Sequence, residues 1–293
     1  MRTAVIDLGS NTFHLLVADV DRIGIRREII DHKIAIRFDP ARPAAAHAAL
    51  EDLIVRCGGY IEDCRVVATG VFREHGAQFL AEASARTGVP IECIDGAEEA
   101  RLTWLAVSAE LAGSHAKLAV IDLGGGSLEL AIGTSTVDGW YSFPVGVLRL
   151  RGLPDIAARV TAETRTAMQD LRALHPDTVA VTSGTARALL RIARRLGLVA
   201  DGQRHMWRRT LAELARWLPT VSHEKLLAKG VSRERVDTIA TGAIALHAVV
   251  EQLEKPVVFV ARTALREGIL IDQARSQAAC DAAAWNMSSM NGR

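Results

Sequence analysis

AVIDLGSNTFHLLVADV (4–20) and AVIDLGGGSLELAIG (119–133) are two versions of one phrase. In each, an apolar run ends in Asp-Leu-Gly, small residues turn the chain, and a second apolar run follows. Asp7 and Asp122 stand 115 residues apart. The pattern predicts two β-hairpins. Gly9, Gly124, Gly125 and Gly126 are expected to turn the backbone with positive φ and to let it approach a ligand that a Cβ would hold off. Ser10, Asn11 and Ser127 add side-chain donors to a concave set of backbone N–H groups, a good receptor for phosphate oxygens. Two such hairpins facing each other would grip a phosphate chain from both sides. The repeat predicts a two-lobed phosphate-handling protein.

Outward from the hairpins, strands and helices alternate as in an α/β lobe. After the first hairpin come a strand around 28–38, a helix over 44–60, a strand at 65–69 and a helix over 73–87. Gly88 suits the C′ position of that last helix, and Pro90 opens a strand at 90–94. Asp95 caps a helix running to about Leu111. The second half predicts strands at 117–123, 127–133 and 138–144. Helices follow at 154–174, 184–196, 207–218, 222–229 and 232–253, with short strands at 178–182 and 256–260. The lobe boundary is placed near 113–117, giving an N-terminal lobe of 1–116 and a C-terminal lobe of 117–275. A final helix over about 263–283 is expected to cross back, so that 276–293 joins the first lobe. Its end, AAWNMSSMNGR (283–293), reads as frayed.

Bulk properties narrow the function. At 293 residues, 49% hydrophobic and 24% charged, the chain has the make-up of a soluble globular protein of two domains. Asp7 interrupts the first apolar stretch, so no signal peptide is expected, and no apolar run approaches the ~20 residues of a membrane helix. Cys57, Cys64, Cys93 and Cys280 show no zinc spacing and are expected to be reduced, mostly buried thiols of a cytoplasmic protein. Residues 146–235 hold 15 Arg and 2 Lys against 8 acidic residues, a net +9 within a chain whose total is +1. A basic second lobe beside an acidic first one suits a polyanionic substrate. An aromatic content of 4% leaves little for base stacking and disfavours nucleic acid as a partner. Association as a homodimer is compatible with the sequence.

The paired phrases resemble the phosphate motifs of the actin, heat-shock chaperone and sugar kinase superfamily. Within it the chain most resembles the exopolyphosphatase and guanosine pentaphosphate phosphatase family. VATGVFRE, GAEEARLTWLAV (96–107), VTSGTARAL (181–189), ERVDTIATGAIAL (234–246) and LREGIL (265–270) follow in that family's order. The resemblance covers nearly the whole chain. It implies two actin-like, ribonuclease H-like lobes with a cleft between them. It also implies Mg²⁺-assisted removal of a terminal phosphate from inorganic polyphosphate or guanosine pentaphosphate. One departure stands out: IAIRFDPARPAAAHAAL (34–50) is shorter than the family's equivalent and lacks its Gly-rich phrase.

By the same resemblance, Glu99 is the catalytic base that deprotonates the attacking water. Its neighbour Glu98 stands at capping-box spacing from Asp95 and reads as a helix cap. Asp7, Asp122 and Glu129 lie on or beside the hairpins and are expected to hold Mg²⁺, which needs only a few carboxylates and keeps its waters. Arg73 matches the family's arginine and is expected to hold a phosphate bidentately. Ser183-Gly184-Thr185 is readable equally as a phosphate contact and as a helix cap. His14 reads as a packed histidine. Two rivals share this fold: a kinase acting on a small acceptor, and a non-catalytic sensor of polyphosphate or an alarmone. No P-loop, dinucleotide fingerprint or zinc-protease motif is present.

Overall fold

The computed structural model describes residues 1–111 and 116–290, without the side chains of 283–290. Both hairpins form. In the first half the elements are β1 (Arg2–Leu8), β2 (Thr12–Val20), β3 (Ile25–Ala35), α1 (Ala44–Cys57), β4 (Cys64–Ala68), α2 (Val71–His75), α3 (Ala77–Thr87), β5 (Ile91–Cys93) and α4 (Gly96–Glu110). The second half begins with β6 (Leu118–Leu123), β7 (Leu128–Gly133), β8 (Val137–Phe143), α5 (Val147–Leu150), α6 (Ile156–Ala173) and β9 (Thr178–Thr182). It continues through α7 (Gly184–Arg195), β10 (His205–Trp207), α8 (Arg208–Trp217), α9 (His223–Ala228), α10 (Ile239–Gln252), β11 (Val257–Val260) and α11 (Leu265–Met290).

The duplication extends far beyond the quoted phrases. One sheet has the order β3-β2-β1-β4-β5, and the other β8-β7-β6-β9-β11 with β10 added at its edge. In both, the first three strands are antiparallel and the last three run parallel. The hairpin registers also coincide. Asp7 faces His14 across the first hairpin and Asp122 faces Glu129 across the second. These are the two lobes of an actin-like α/β fold.

Each sheet buries an outer face under its own helices. The first packs Ile6, Leu8, Phe13 and Leu15 against Leu50, Leu53 and Phe79 of α1 and α3. The second packs Ile121, Leu123, Leu130 and Val181 against α6, α7, α8 and α10. Each fully buried Leu or Ile contributes roughly 1.5–3 kcal/mol of burial free energy, so both lobes have their own core. The inner faces share α4. Its Leu102 and Leu105 meet Val5, Leu16 and α11, while Ala100, Trp104 and Val107 meet Val120 and Ala131. The Trp104 indole also donates to the Leu118 carbonyl at 3.0 Å. The last helix, α11, crosses back onto the first sheet from its start, with Leu265, Ile269 and Leu270 in that inner core.

Several local expectations change. The helix read over 73–87 is two helices meeting at Gly76, where a Cβ would press into Phe72. The helix read over 232–253 starts only at Ile239, because 232–238 turn around Ser232 and Arg235. Helix α11 continues to Met290; residues 291–293 of the expected frayed end, and 113–115 of the expected boundary, lie outside the described residues. Cys93 and Cys280 are exposed rather than buried. The shortened segment after β3 folds back under the first hairpin. Its Ile36 and Phe38 N–H groups donate to the Asn11 and Ser10 carbonyls at 3.2 and 3.3 Å. The Phe38 ring packs against Phe72 and Phe79.

Candidate active site

The two hairpin turns meet across a cleft of about 920 Å³ that is partly open to solvent. Gly9, Ser10, Asn11, Gly124, Gly125, Gly126 and Ser127 all line it, as expected, together with Asp7, Asp122 and Glu99. Each turn is closed by one backbone bond, Gly9 to Thr12 at 3.0 Å and Gly124 to Ser127 at 2.9 Å. The expectation of positive φ fails: none of Gly9, Gly124, Gly125 or Gly126 is left-handed. These glycines are there for space. A Cβ on Gly126 would lie 2.8 Å from the Ser10 hydroxyl, and one on Gly125 within 3.5 Å of the Ser10 Cβ. The left-handed glycine of the site is instead Gly70 (φ 57°), which opens α2 and leaves room for the same Ser10 hydroxyl. That hydroxyl accepts the Val71 N–H at 3.2 Å, so its own hydrogen remains available to a phosphate oxygen.

Asp95 caps α4 by accepting the Glu98 N–H at 2.8 Å. The Glu98 side chain turns away to Arg101, which in turn reaches Asp272 of α11 at 3.0 Å. One residue on, Glu99 points into the buried floor of the cleft. Burial raises its pKa, and the Asp122 charge adds to that; the Arg73 guanidinium, bonded to it at 2.5 Å, and the Thr69 hydroxyl oppose the rise. Arg73 is partly buried beside Glu99, donating also to the Ser127 hydroxyl at 3.3 Å and approaching Glu129 at 3.5 Å. Its neighbour Glu74 pairs with Arg149 of the other lobe at 2.7 Å.

Asp7 and Asp122 lie at the ends of equivalent strands in the cleft floor. Burial first of all pushes both up to about 6; Arg266 opposes this at Asp7 and Arg187 at Asp122. The Asp7 Oδ1 is buried without a hydrogen-bond partner. Glu129 is buried behind the cleft, accepting from the Ser142 hydroxyl at 3.0 Å, and burial and its acidic neighbours raise its pKa well above the ordinary value. Among the described residues no three His, Cys, Asp or Glu side chains come together in a cage for a metal. Two buried carboxylates with one unpartnered oxygen fit an ion such as Mg²⁺, which takes one or two protein carboxylates and completes its shell with water and phosphate.

The remaining wall was not legible in the sequence. Arg187, Arg235 and Arg266 reach the cleft from α7, from the turn before α10 and from α11. The +9 segment hinted at the first two, but an arginine count cannot say which ones turn inward. Arg149, Arg172 and Arg204 of that segment are instead spent on ion pairs with Glu74, Glu254 and Glu110. Ser183 holds a strained φ of 109° and caps α7, its hydroxyl accepting the Ala186 N–H at 3.1 Å while the residue also lines the cleft. The cap reading holds for Ser183, and Gly184 and Thr185 line the cleft beside it. His14 is buried beside Asp31, and burial lowers its pKa.

A two-lobed fold with paired phosphate turns, buried acids and basic walls defines a phosphoryl-handling enzyme of the actin-like superfamily. The sequence matches the Ppx/GppA phosphatase family over residues 12–277, and the chain belongs to that family of hydrolases. It is 30% identical to exopolyphosphatase 1 of Mycobacterium leprae, over 95% of this chain and 91% of that one. It is also 30% identical to the guanosine-5′-triphosphate,3′-diphosphate pyrophosphatase of Aeromonas hydrophila, over 95% of this chain but 60% of that protein. In structure it is similar to an exopolyphosphatase from Cytophaga hutchinsonii (TM-score 0.78, 19% identity, 94% and 98% coverage). The fold recurs in the Aquifex aeolicus PPX-GPPA enzyme (TM-score 0.72, 22% identity, 93% and 99% coverage). No helix among the described residues is long and apolar enough to cross a membrane.

Proposed function

We propose that this protein removes the terminal phosphate of inorganic polyphosphate, with Glu99 as the general base. The observation that carries the choice of substrate is the lining of the cleft. It is built of glycine, hydroxyl and amide groups, buried acids, three arginines and the apolar Leu123, Val147, Ala264 and Leu265, with no aromatic ring among these lining residues. A guanine base would find no aromatic ring to stack on, whereas a bare phosphate chain would meet the two turns and the three arginines.

The two turns present backbone N–H groups and the Ser10 and Asn11 side chains to the terminal phosphoryl group. Glu99, held by Arg73 and raised by burial, accepts a proton from water aligned with the scissile bond. Asp7 and Asp122 are the residues that would hold Mg²⁺, which supplies charge neutralisation on the phosphate oxygens. Arg266 approaches Asp7 at 3.6 Å, the Arg187 charge favours ionised Asp122, and both add positive charge to the wall. The reading is tested by phosphate release from polyphosphate, guanosine pentaphosphate and ATP, with and without Mg²⁺. Release from polyphosphate at the highest kcat/KM supports it. Phosphate transfer from ATP to an acceptor would replace it with a kinase, and binding without release with a sensor.

A further inference from the structure

Beside the cleft, β3 of the first lobe faces the turn before α10 of the second, whose Arg235 lines the cleft. There Lys33 meets Glu234 across the gap at 3.1 Å. Arg235, which lines the cleft and lies over Gly184, reaches the same carboxylate at 3.2 Å. The Ser232 hydroxyl and the Glu234 backbone N–H also face it. Nearby, Arg191 feels the like charges of Arg235 and Arg195 and the opposite charge of Glu234. Two cations, one from each lobe, thus meet on one carboxylate that is about one quarter exposed, and Arg191 adds a third positive charge nearby. This is the donor set that a phosphate unit would take, occupied by a side chain.

We propose that Glu234 is an internal counter-ion held in an anion subsite at the mouth of the cleft, and that a long phosphate chain displaces it. The inference rests on the polyphosphate reading. When the terminal phosphate lies between the hairpins, a sufficiently long chain runs out past Arg235. There its charged units take over Lys33 and Arg235, and Glu234 swings to water. A short chain never reaches the mouth and leaves the Lys33–Glu234 pair closed. The pair therefore makes affinity depend on chain length, and it sets a threshold that a bare basic groove would not have. No bond is made or broken in this exchange.

The test compares Glu234→Gln and Lys33→Gln in the full chain, with tripolyphosphate and long-chain polyphosphate as probes. Equilibrium binding is measured at low salt in a Glu99→Gln background, and KM by phosphate release with Glu99 intact. Thermal melts confirm that both variants fold. Glu234→Gln removes the competing charge and should tighten long-chain binding roughly three- to tenfold, with a smaller change for tripolyphosphate. Lys33→Gln should weaken long-chain binding by a similar factor. Opposite shifts are the signature of a displaced counter-ion. If the pair only spaces the lobes, either substitution breaks it and both variants move the same way, which overturns the proposal. So do equal shifts at both lengths, or none. Wild-type protein that binds polyphosphate but releases no phosphate would refute the hydrolase reading, while the binding comparison would still decide the role of Glu234.

Discussion

The two phosphate hairpins share a backbone and differ in what stands behind them. Strand order, turn length and the position of the aspartate are the same in both, down to the cross-strand pairs Asp7–His14 and Asp122–Glu129. Behind the first, the partner is His14, held by Asp31 on β3. Behind the second, the partner is Glu129, which with Glu99 and Ser127 surrounds Arg73. One hairpin is braced by the His14–Asp31 pair and the other is linked through Arg73 to Glu99. On the proposed reading of Glu99 as the base, the turn geometry is duplicated whereas the chemistry is carried by one copy.

If that division holds, the largest effect belongs to Glu99. Glu99→Gln keeps the shape and the bond to Arg73 but loses the proton acceptor, so kcat should fall roughly 10²- to 10⁴-fold with little change in KM. Steady-state phosphate release checks it, with Glu98→Gln as the near-silent neighbour; near-wild-type turnover of Glu99→Gln would leave the second hairpin with no special role. Next come the matched substitutions Glu129→Gln and His14→Gln. The first frees Arg73 from one of its two acids and should cost roughly tenfold in kcat. The second should leave kcat within about twofold and lower stability by about 1–2 kcal/mol, through a lost buried hydrogen bond. Urea melts and kinetics on the same samples separate the two, and equal kinetic losses would collapse the distinction.

The smallest effect concerns what the hairpins share. With Asp7 and Asp122 both pushed up to about 6, protons compete with Mg²⁺ below that pH. Because these folded-state values lie above those of an unfolded chain, the two carboxylates destabilise the metal-free fold as pH rises through 4 to 6, and Mg²⁺ should offset this only above that window. Melting temperature with and without Mg²⁺ should diverge at pH 7.5 and converge near pH 5. A Mg²⁺ effect independent of pH would remove both aspartates from the ion's shell.

Much of this was written locally. Alternating apolar runs around Asp-Leu-Gly fix both hairpins, and Asp95 three residues before Glu98 fixes the start of α4 and hence the place of Glu99. What escaped is whatever depends on partners distant in the chain. Glycine at a turn signals either left-handed backbone or lack of room, and only the approach of Ser10 to Gly126 and Gly70 tells which. The motif around Arg73 suggests a ligand for phosphate but does not show that Glu99, 26 residues on, folds back onto it. Arg266 and Arg187 carry no local mark at all. The strands β10 and helix α5 are too short for any period to emerge.

The shared strand order has a consequence for ancestry. A site assembled from two identical half-sized chains would have to carry the same residue behind each turn, either a histidine twice or a glutamate twice. Joining the halves end to end lifts that symmetry. A single chain can keep two equal turns while placing a different residue behind each, and it permits the present pairing of His14 with Glu129 at matching positions.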